Sequence, residues 1–159
     1  MAKALVAYYS QSGNTQKMAE IISGSIKANG VDCDLKRVND LDSKVLLDYD
    51  AILIGSPTYY GSMAAEVKKL LDLSVQFHGK LDGKIGGAFS SAANVGGGNE
   101  TTILSVINAM LIHGMIIQGD FKGDHYGPVS IGQPDSRAEA NCRRFGKRIA
   151  DLVKRILNE

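Results

Sequence analysis

The sequence has no tryptophan, only three prolines and two cysteines, and almost no net charge, +1 over 159 residues. It also lacks any run of about 18 apolar residues, the length that a bilayer-crossing helix needs, so no membrane insertion is expected. A balance so close to neutral gives no electrostatic case for nucleic acid. Cys33 and Cys142 stand far apart with neither CxxC nor metal-ligand spacing. Both are read as small buried or half-buried thiols in a reducing compartment, a disulfide being the alternative. The N-terminus enters a strand-like pattern almost at once and leaves no room for a secretory signal, so a cytoplasmic protein is expected.

Several ligand signatures are missing too. No GxGxxG follows the first strand, and no Walker A sequence occurs. A phosphorelay receiver needs acidic residues at the end of the first strand to hold Mg2+, and this chain has Tyr8-Tyr9-Ser10 there. His78, His113 and His125 show no ligand spacing, so no metal is expected.

What is present is the composition of one domain with a real core: 44% hydrophobic residues, 22% charged and 18 glycines. A single domain over residues 1–159 is expected. Strand-like apolar runs recur at Ala4 to Tyr9, Val31 to Leu35, Ala51 to Ile54, Ile85 to Phe89 and Met115 to Ile117. Stretches of helical period fall between most of them, a pattern that gives a parallel sheet covered on both faces.

The first helix presents Met18, Ile21, Ile22, Ser25 and Ile26 and stops near Asn29-Gly30. Leu41 to Asp48 has room only for a short helix. Later helices follow Ser62, with Met63, Val67, Leu70 and Leu71 inward, and run from Glu100 to Ile112, with Ile103, Ile107, Met110 and Leu111 inward. The last, Asp135 to Leu157, lines up Ala138, Cys142, Phe145, Ile149, Leu152 and Ile156, and carries six basic residues from Arg143 to Arg155. That basic stripe is either a solvated face or a docking surface for an acidic protein. Gly119 to Pro134 has neither period and reads as a loop or small hairpin.

Five strands with crossovers make an open doubly wound sheet, and ligands of such sheets sit beyond the carboxyl ends of the strands. Three loops there carry the chemistry. Ser10-Gln11-Ser12-Gly13-Asn14-Thr15 joins the first strand to the first helix and offers hydroxyls, an amide and free backbone N–H groups without a Lys or Arg. Such a loop holds a monophosphate by hydrogen bonds and the positive end of the helix; an ordinary N-cap uses the same residue types. After the third strand, Pro57, Thr58, Tyr59, Tyr60 and Gly61 combine a stiff exit, flat aromatic faces and close backbone access. After the fourth, Ser91, Ala92, Asn94, Gly96 and Gly97 belong to a glycine-rich stretch rich in backbone donors and acceptors. Together they describe a pocket for a planar ring with one phosphate tail, which fits flavin mononucleotide (FMN).

The runs Gly55-Ser56-Pro57-Thr58-Tyr59-Tyr60-Gly61-Ser62-Met63, Phe89-Ser90-Ser91, Gly96-Gly97-Gly98-Asn99-Glu100-Thr101 and His113-Gly114-Met115 resemble the WrbA-like NAD(P)H:quinone oxidoreductases of the flavodoxin superfamily. The first loop resembles an ordinary flavodoxin phosphate loop more closely. The resemblance implies a flavodoxin-like α/β fold, a five-stranded parallel sheet of order 2-1-3-4-5 with helices on both faces. It implies noncovalent FMN, with Ser10, Ser12, Gly13, Asn14 and Thr15 at the phosphate, Pro57 to Gly61 at the ring, and Ser91, Ala92, Asn94, Gly96 and Gly97 at the pyrimidine edge and ribityl chain. Gln11 belongs to the same phosphate loop, and His113 falls at a flavin-contacting histidine of the family; a helix-terminal histidine is the alternative.

The partners implied are redox proteins, or NAD(P)H and quinone, and the resemblance also allows for oligomers. Leu73 to Lys84 is too short for the WrbA-like insertion that builds the nicotinamide and quinone site. An electron carrier is therefore favoured over an NAD(P)H-dependent oxidoreductase, and no residue is expected to act as acid, base or nucleophile. The flavin supplies the redox chemistry.

Overall fold

The computed structural model describes residues 2–158. Strands β1 (Lys3–Tyr8), β2 (Asp32–Arg37), β3 (Ala51–Pro57) and β4 (Ile85–Ala92) pair in parallel in the order β2-β1-β3-β4. Short β5 (Ile116–Ile117) follows β4, which gives the expected order 2-1-3-4-5. Each strand alternates its side chains between two cores. From β1, Ala4, Val6 and Tyr8 pack beneath helices α1 (Asn14–Ala28) and α4 (Ser136–Leu157), beside Met18, Phe145 and Ile149. Leu5 and Ala7 face the other way, toward α2 (Ala65–Leu73) and α3 (Asn99–Ile112), beside Val67, Val106 and Met110.

Two helical stripes differ from their sequence reading. In α3, beyond the buried Asn99 at its start, the buried positions are Thr102, Ile103, Val106, Ile107 and Met110, spaced i, i+1, i+4, i+5 and i+8, so Leu111 falls off the stripe and is exposed. In α4 the inward place near the C-terminus goes to Val153, while Ile156 is exposed. Cys33 and Cys142 are both free and buried, and burial pushes the Cys142 thiol up to about 12. Leu41 to Asp48 contains a 3-10 segment, Ser43–Asp48, capped by the Asp42 carboxylate, which accepts from the Lys44 N–H at 2.9 Å.

The stretch 119–134 is not a hairpin. Val129–Ile131 forms β6, which pairs in parallel with Ser90, Ser91 and Ala92 of β4, while β5 pairs with Ile85 and Gly86 of the same strand. The fifth strand position is thus occupied twice, and residues 118–128 strap the gap between. The strap is tied to α4. Asp120 accepts two hydrogen bonds from Arg144, at 2.6 and 2.8 Å, Arg148 donates to the Gly119 carbonyl at 2.7 Å, and Arg137 reaches Asp124 at 2.8 Å. Arg143 pairs with Glu139 and Lys147 with Asp151. Most of the basic stripe is therefore paired within the chain, which supports the solvated face over the docking surface, the two readings open from sequence.

Candidate functional site

The carboxyl ends of β1, β3 and β4 bring the three loops together. At the first, Gly13 adopts φ 93°, a left-handed conformation that glycine takes without strain, and its N–H donates to Ser10 Oγ at 3.1 Å. The backbone N–H groups of Gln11, Ser12, Asn14, Thr15 and Gln16 take no acceptor among the described residues. Five donors at one helix start, with no acidic side chain in the first turn of α1, form a nest for an anion.

The nest is locked to the other loops through hydroxyls. Thr15 Oγ1 and Ser91 Oγ lie 2.9 Å apart, Thr58 N–H donates to the Ser91 carbonyl at 2.8 Å, and Thr58 Oγ1 meets Ser90 Oγ at 2.9 Å. Ser56 Oγ accepts from Ala64 N–H at 2.8 Å, which fixes the entry to α2. Tyr59 and Ser62 exchange both backbone hydrogen bonds across Tyr60 and Gly61, at φ 50° and 72°. Two positive φ angles at the centre make this a type I′ turn, with the Tyr60 side chain fully in solvent. The Gly61 turn lies directly against the glycine-rich loop: a Cβ on Gly98 would stand 2.8 Å from Gly61 Cα.

Between the loops lies a cleft of about 390 Å³, the size of a small-molecule site. Of the residues expected from sequence, it is lined by Ser10, Gln11, Ser12, Asn14 and Thr15, by Pro57, Thr58 and Tyr59, and by Ser91 and Ala92. Tyr59 also bridges two loops, donating from its hydroxyl to Gln11 Oε1 at 3.0 Å, and its ring receives Tyr9 edge-on at 6.5 Å. Gly13, Tyr60, Gly61, Asn94, Gly96 and Gly97 stand in the same loops but outside the lining. Ala93 and Gly132 line it as well and were not foreseen. Gly132 arrives because β6 returns the chain beside β4, its N–H donating to the Ala92 carbonyl at 2.8 Å. Arg37, at the end of β2, was also missed; its guanidinium approaches the Ser10 carbonyl at 3.5 Å from outside the cleft.

His113 is not brought to the cleft. It caps the far end of α3, where Ser74 Oγ donates to the Leu71 carbonyl at 2.6 Å and so accepts from His113 Nε2–H at 2.7 Å. Burial, and then the neighbouring His78, lower its pKa, which disfavours the charged form at this helix end. Among the described residues no group of three or more His, Cys, Asp or Glu side chains is placed to hold a metal, and no helix is long and apolar enough to cross a membrane.

An open doubly wound sheet, an anion nest without a cation and a cleft edged by an aromatic ring define a mononucleotide-binding protein of the flavin type. Comparison with known proteins narrows the class. A profile of the flavodoxin domain matches residues 5–91, and a flavodoxin of Aquifex aeolicus (strain VF5) is 37% identical over 162 residues, covering 96% of this chain and 88% of that protein. An NAD(P)H dehydrogenase (quinone) of Sinorhizobium fredii (strain NBRC 101917 / NGR234) is 38% identical over 197 aligned positions, covering 98% and 99%. The solved structure of a flavodoxin from the domain Archaea superposes with a TM-score of 0.80 at 31% identity, covering 96% and 99%. The chain belongs to the flavodoxin family, and its cofactor is noncovalently bound FMN. The site fits that group: free N–H donors for a phosphate, and an uncharged cleft for a ring.

Proposed function

We propose that residues 1–159 act as a single FMN-binding domain that carries electrons between redox partners in the cytoplasm. The observation that carries this reading is the nest of five unpaired N–H groups at the start of α1, opening into a cleft of about 390 Å³ with no Lys or Arg in its lining. Ser10, Gln11, Ser12, Gly13, Asn14 and Thr15 would hold the phosphate. Pro57, Thr58, Tyr59, Tyr60 and Gly61 would flank the ring, and Ser91, Ala92, Asn94, Gly96 and Gly97 would meet its polar edge and the ribityl chain. FMN, when bound, supplies the one- and two-electron redox chemistry, and the chain binds, orients and shields it. The two buried, free thiols suit a reducing compartment.

A second reading, direct reduction by NAD(P)H with quinone as acceptor, is favoured by the likeness to the Sinorhizobium fredii protein. That alignment spans 197 positions against 159 residues here, so the relative carries segments that this chain lacks. The short connection from α2 to β4 supports the carrier.

Titrating the apo-protein with FMN and with riboflavin, which lacks the phosphate, tests the nest. FMN is expected to bind at least about 100-fold more tightly, the worth of two or three charge-assisted hydrogen bonds. Equal affinity for both would refute the phosphate assignment. Anaerobic mixing of FMN-loaded protein with NADH or NADPH then separates the readings, since fast bleaching of the flavin band rules out the pure carrier.

A further inference from the structure

The side chain of Gln11 turns out of the phosphate loop. Its amide oxygen accepts from the Tyr59 hydroxyl at 3.0 Å, a bond that crosses from the loop after β1 to the loop after β3. The neighbours of Gln11 behave otherwise. Ser10 Oγ accepts from Gly13 N–H inside the loop, and the Ser12 and Asn14 side chains make no hydrogen bond among the described residues. The loop thus divides its polar groups. Backbone N–H groups and the side chains of Ser12 and Asn14 are left for an anion, while the Gln11 carbonyl is committed to an aromatic residue.

That aromatic residue is held in three places. The Tyr59 backbone exchanges hydrogen bonds with Ser62 at 3.0 and 3.1 Å, its ring meets Tyr9 at 77° with centroids 6.5 Å apart, and its hydroxyl is on Gln11. Tyr9 is anchored in turn, packed against the core on the side of α2 and α3, with its hydroxyl bonded to Glu66 in the first turn of α2. Tyr59 lines the cleft and Tyr9 does not, so Tyr9 backs the ring without narrowing the opening. Tyr59 is 39% exposed, so burial alone does not fix its orientation. A tyrosine side chain turns about two bonds, and a contact on the ring together with one at its far end sets both. Tyr60, the next residue, has neither contact among the described residues and lies wholly in solvent.

We infer that the Gln11 side chain is a positioning group for the ring of the flavin and not a ligand of its phosphate: acting through Tyr59, it holds a flat aromatic wall in place at the cleft before the cofactor arrives. The inference rests on the FMN reading above and deepens it, since the Gln11 N–H stays in the nest while its side chain serves the other end of the site. Setting the wall in advance removes the cost of ordering a mobile side chain on binding. A glutamine carbonyl suits the task, because it accepts the hydroxyl without placing a negative charge beside a phosphate, as a carboxylate would.

Gln11→Ala, Tyr59→Phe and the double variant test it. Each single variant is expected to weaken FMN binding about fivefold, the worth of one neutral hydrogen bond, and the double variant no further, because both remove the same bond. Both are expected to move the visible absorption bands of the bound flavin in the same way, and to leave the phosphorus NMR resonance of its phosphate where the wild type has it. Gln11→Glu keeps an acceptor for the Tyr59 hydroxyl and is expected to restore the bands. A shifted phosphorus resonance in Gln11→Ala with unchanged bands makes the side chain a phosphate ligand and overturns the inference. So does a double variant about 25-fold weaker, the product of two independent effects. Tighter FMN binding by Gln11→Ala also overturns it, since the bond would then bar the cleft. A wild type that takes up no FMN refutes the cofactor reading and this inference with it, an outcome told apart from the others because it precedes any substitution.

Discussion

Thr15 Oγ1 and Ser91 Oγ, 76 positions apart in sequence, meet at 2.9 Å and join the first turn of α1 to the end of β4. Both residues are largely buried at the base of the cleft. Ser91→Ala leaves the Thr15 hydroxyl without its partner. It is expected to cost about 1–2 kcal/mol in chemical denaturation. FMN affinity is expected to fall about tenfold, because the nest loses its tie to the rest of the cleft. A substitution that changes stability but not affinity would place the pair outside the binding machinery.

Asp120 holds the strap to α4 through Arg144, and the guanidinium keeps its carboxyl down at about 2. A carboxylate depressed in the folded state stabilises above its unfolded pKa, near 3.8, and that contribution fades as pH falls toward 2. Asp120 is mostly covered but Arg144 is a third exposed, so the contribution is expected at about 1–2 kcal/mol rather than the full value of the shift. Asp120→Asn should lose that amount at pH 7 and show a flatter decline in melting temperature between pH 4 and 2.

Gly98 has φ 104°, and a Cβ there would press on Gly61. Gly98→Ala is expected to cost about 1–3 kcal/mol through backbone strain. Because the Gly61 turn must yield, flavin affinity measured by fluorescence quenching is expected to drop more than in a Gly30→Ala control, where φ is 81° but no atom lies near.

Tyr60 takes φ 50° while its side chain is fully exposed. Type I′ turns favour asparagine or glycine there, and no packing is lost on replacing the ring. Tyr60→Asn is expected to stabilise the apo-protein by about 0.5–1 kcal/mol. If the ring flanks FMN, the same substitution weakens cofactor binding, so stability and affinity move in opposite directions.

Cys142 is buried with its thiol raised to about 12, and burial also raises Cys33. Since the thiolate is the reactive form, iodoacetamide at pH 8 should label neither thiol in the native protein and both after denaturation, read by mass spectrometry.

Much of this was legible in sequence because local chemistry and tertiary position agree there. Asn14 and Thr15 open α1 and line the cleft for the same reason, free N–H groups at a helix start. The unbroken apolar runs of β1 and β3 mark a sheet covered on both faces. What failed depends on distance in the chain. Leu111 matches the apolar pattern but falls a third of a turn beyond the buried stripe, and only packing reveals that. β6 is three residues long, too short for a period to register, so Gly132 could not be placed at the cleft. Arg37 reaches the Ser10 carbonyl from the neighbouring strand, a relation that strand order alone determines. His113 shares the glycine-loop helix in sequence, yet the length of α3 carries it to the opposite pole of the sheet.

The doubled fifth strand has a last consequence. Parallel sheets end in a row of unsatisfied amides, a template on which foreign strands add and fibrils grow. Here that margin is cut into a two-residue piece and a three-residue piece, with a salt-bridged strap laid between them. No continuous edge is left for another strand to extend, so at high concentration growth by strand addition is blocked on that side.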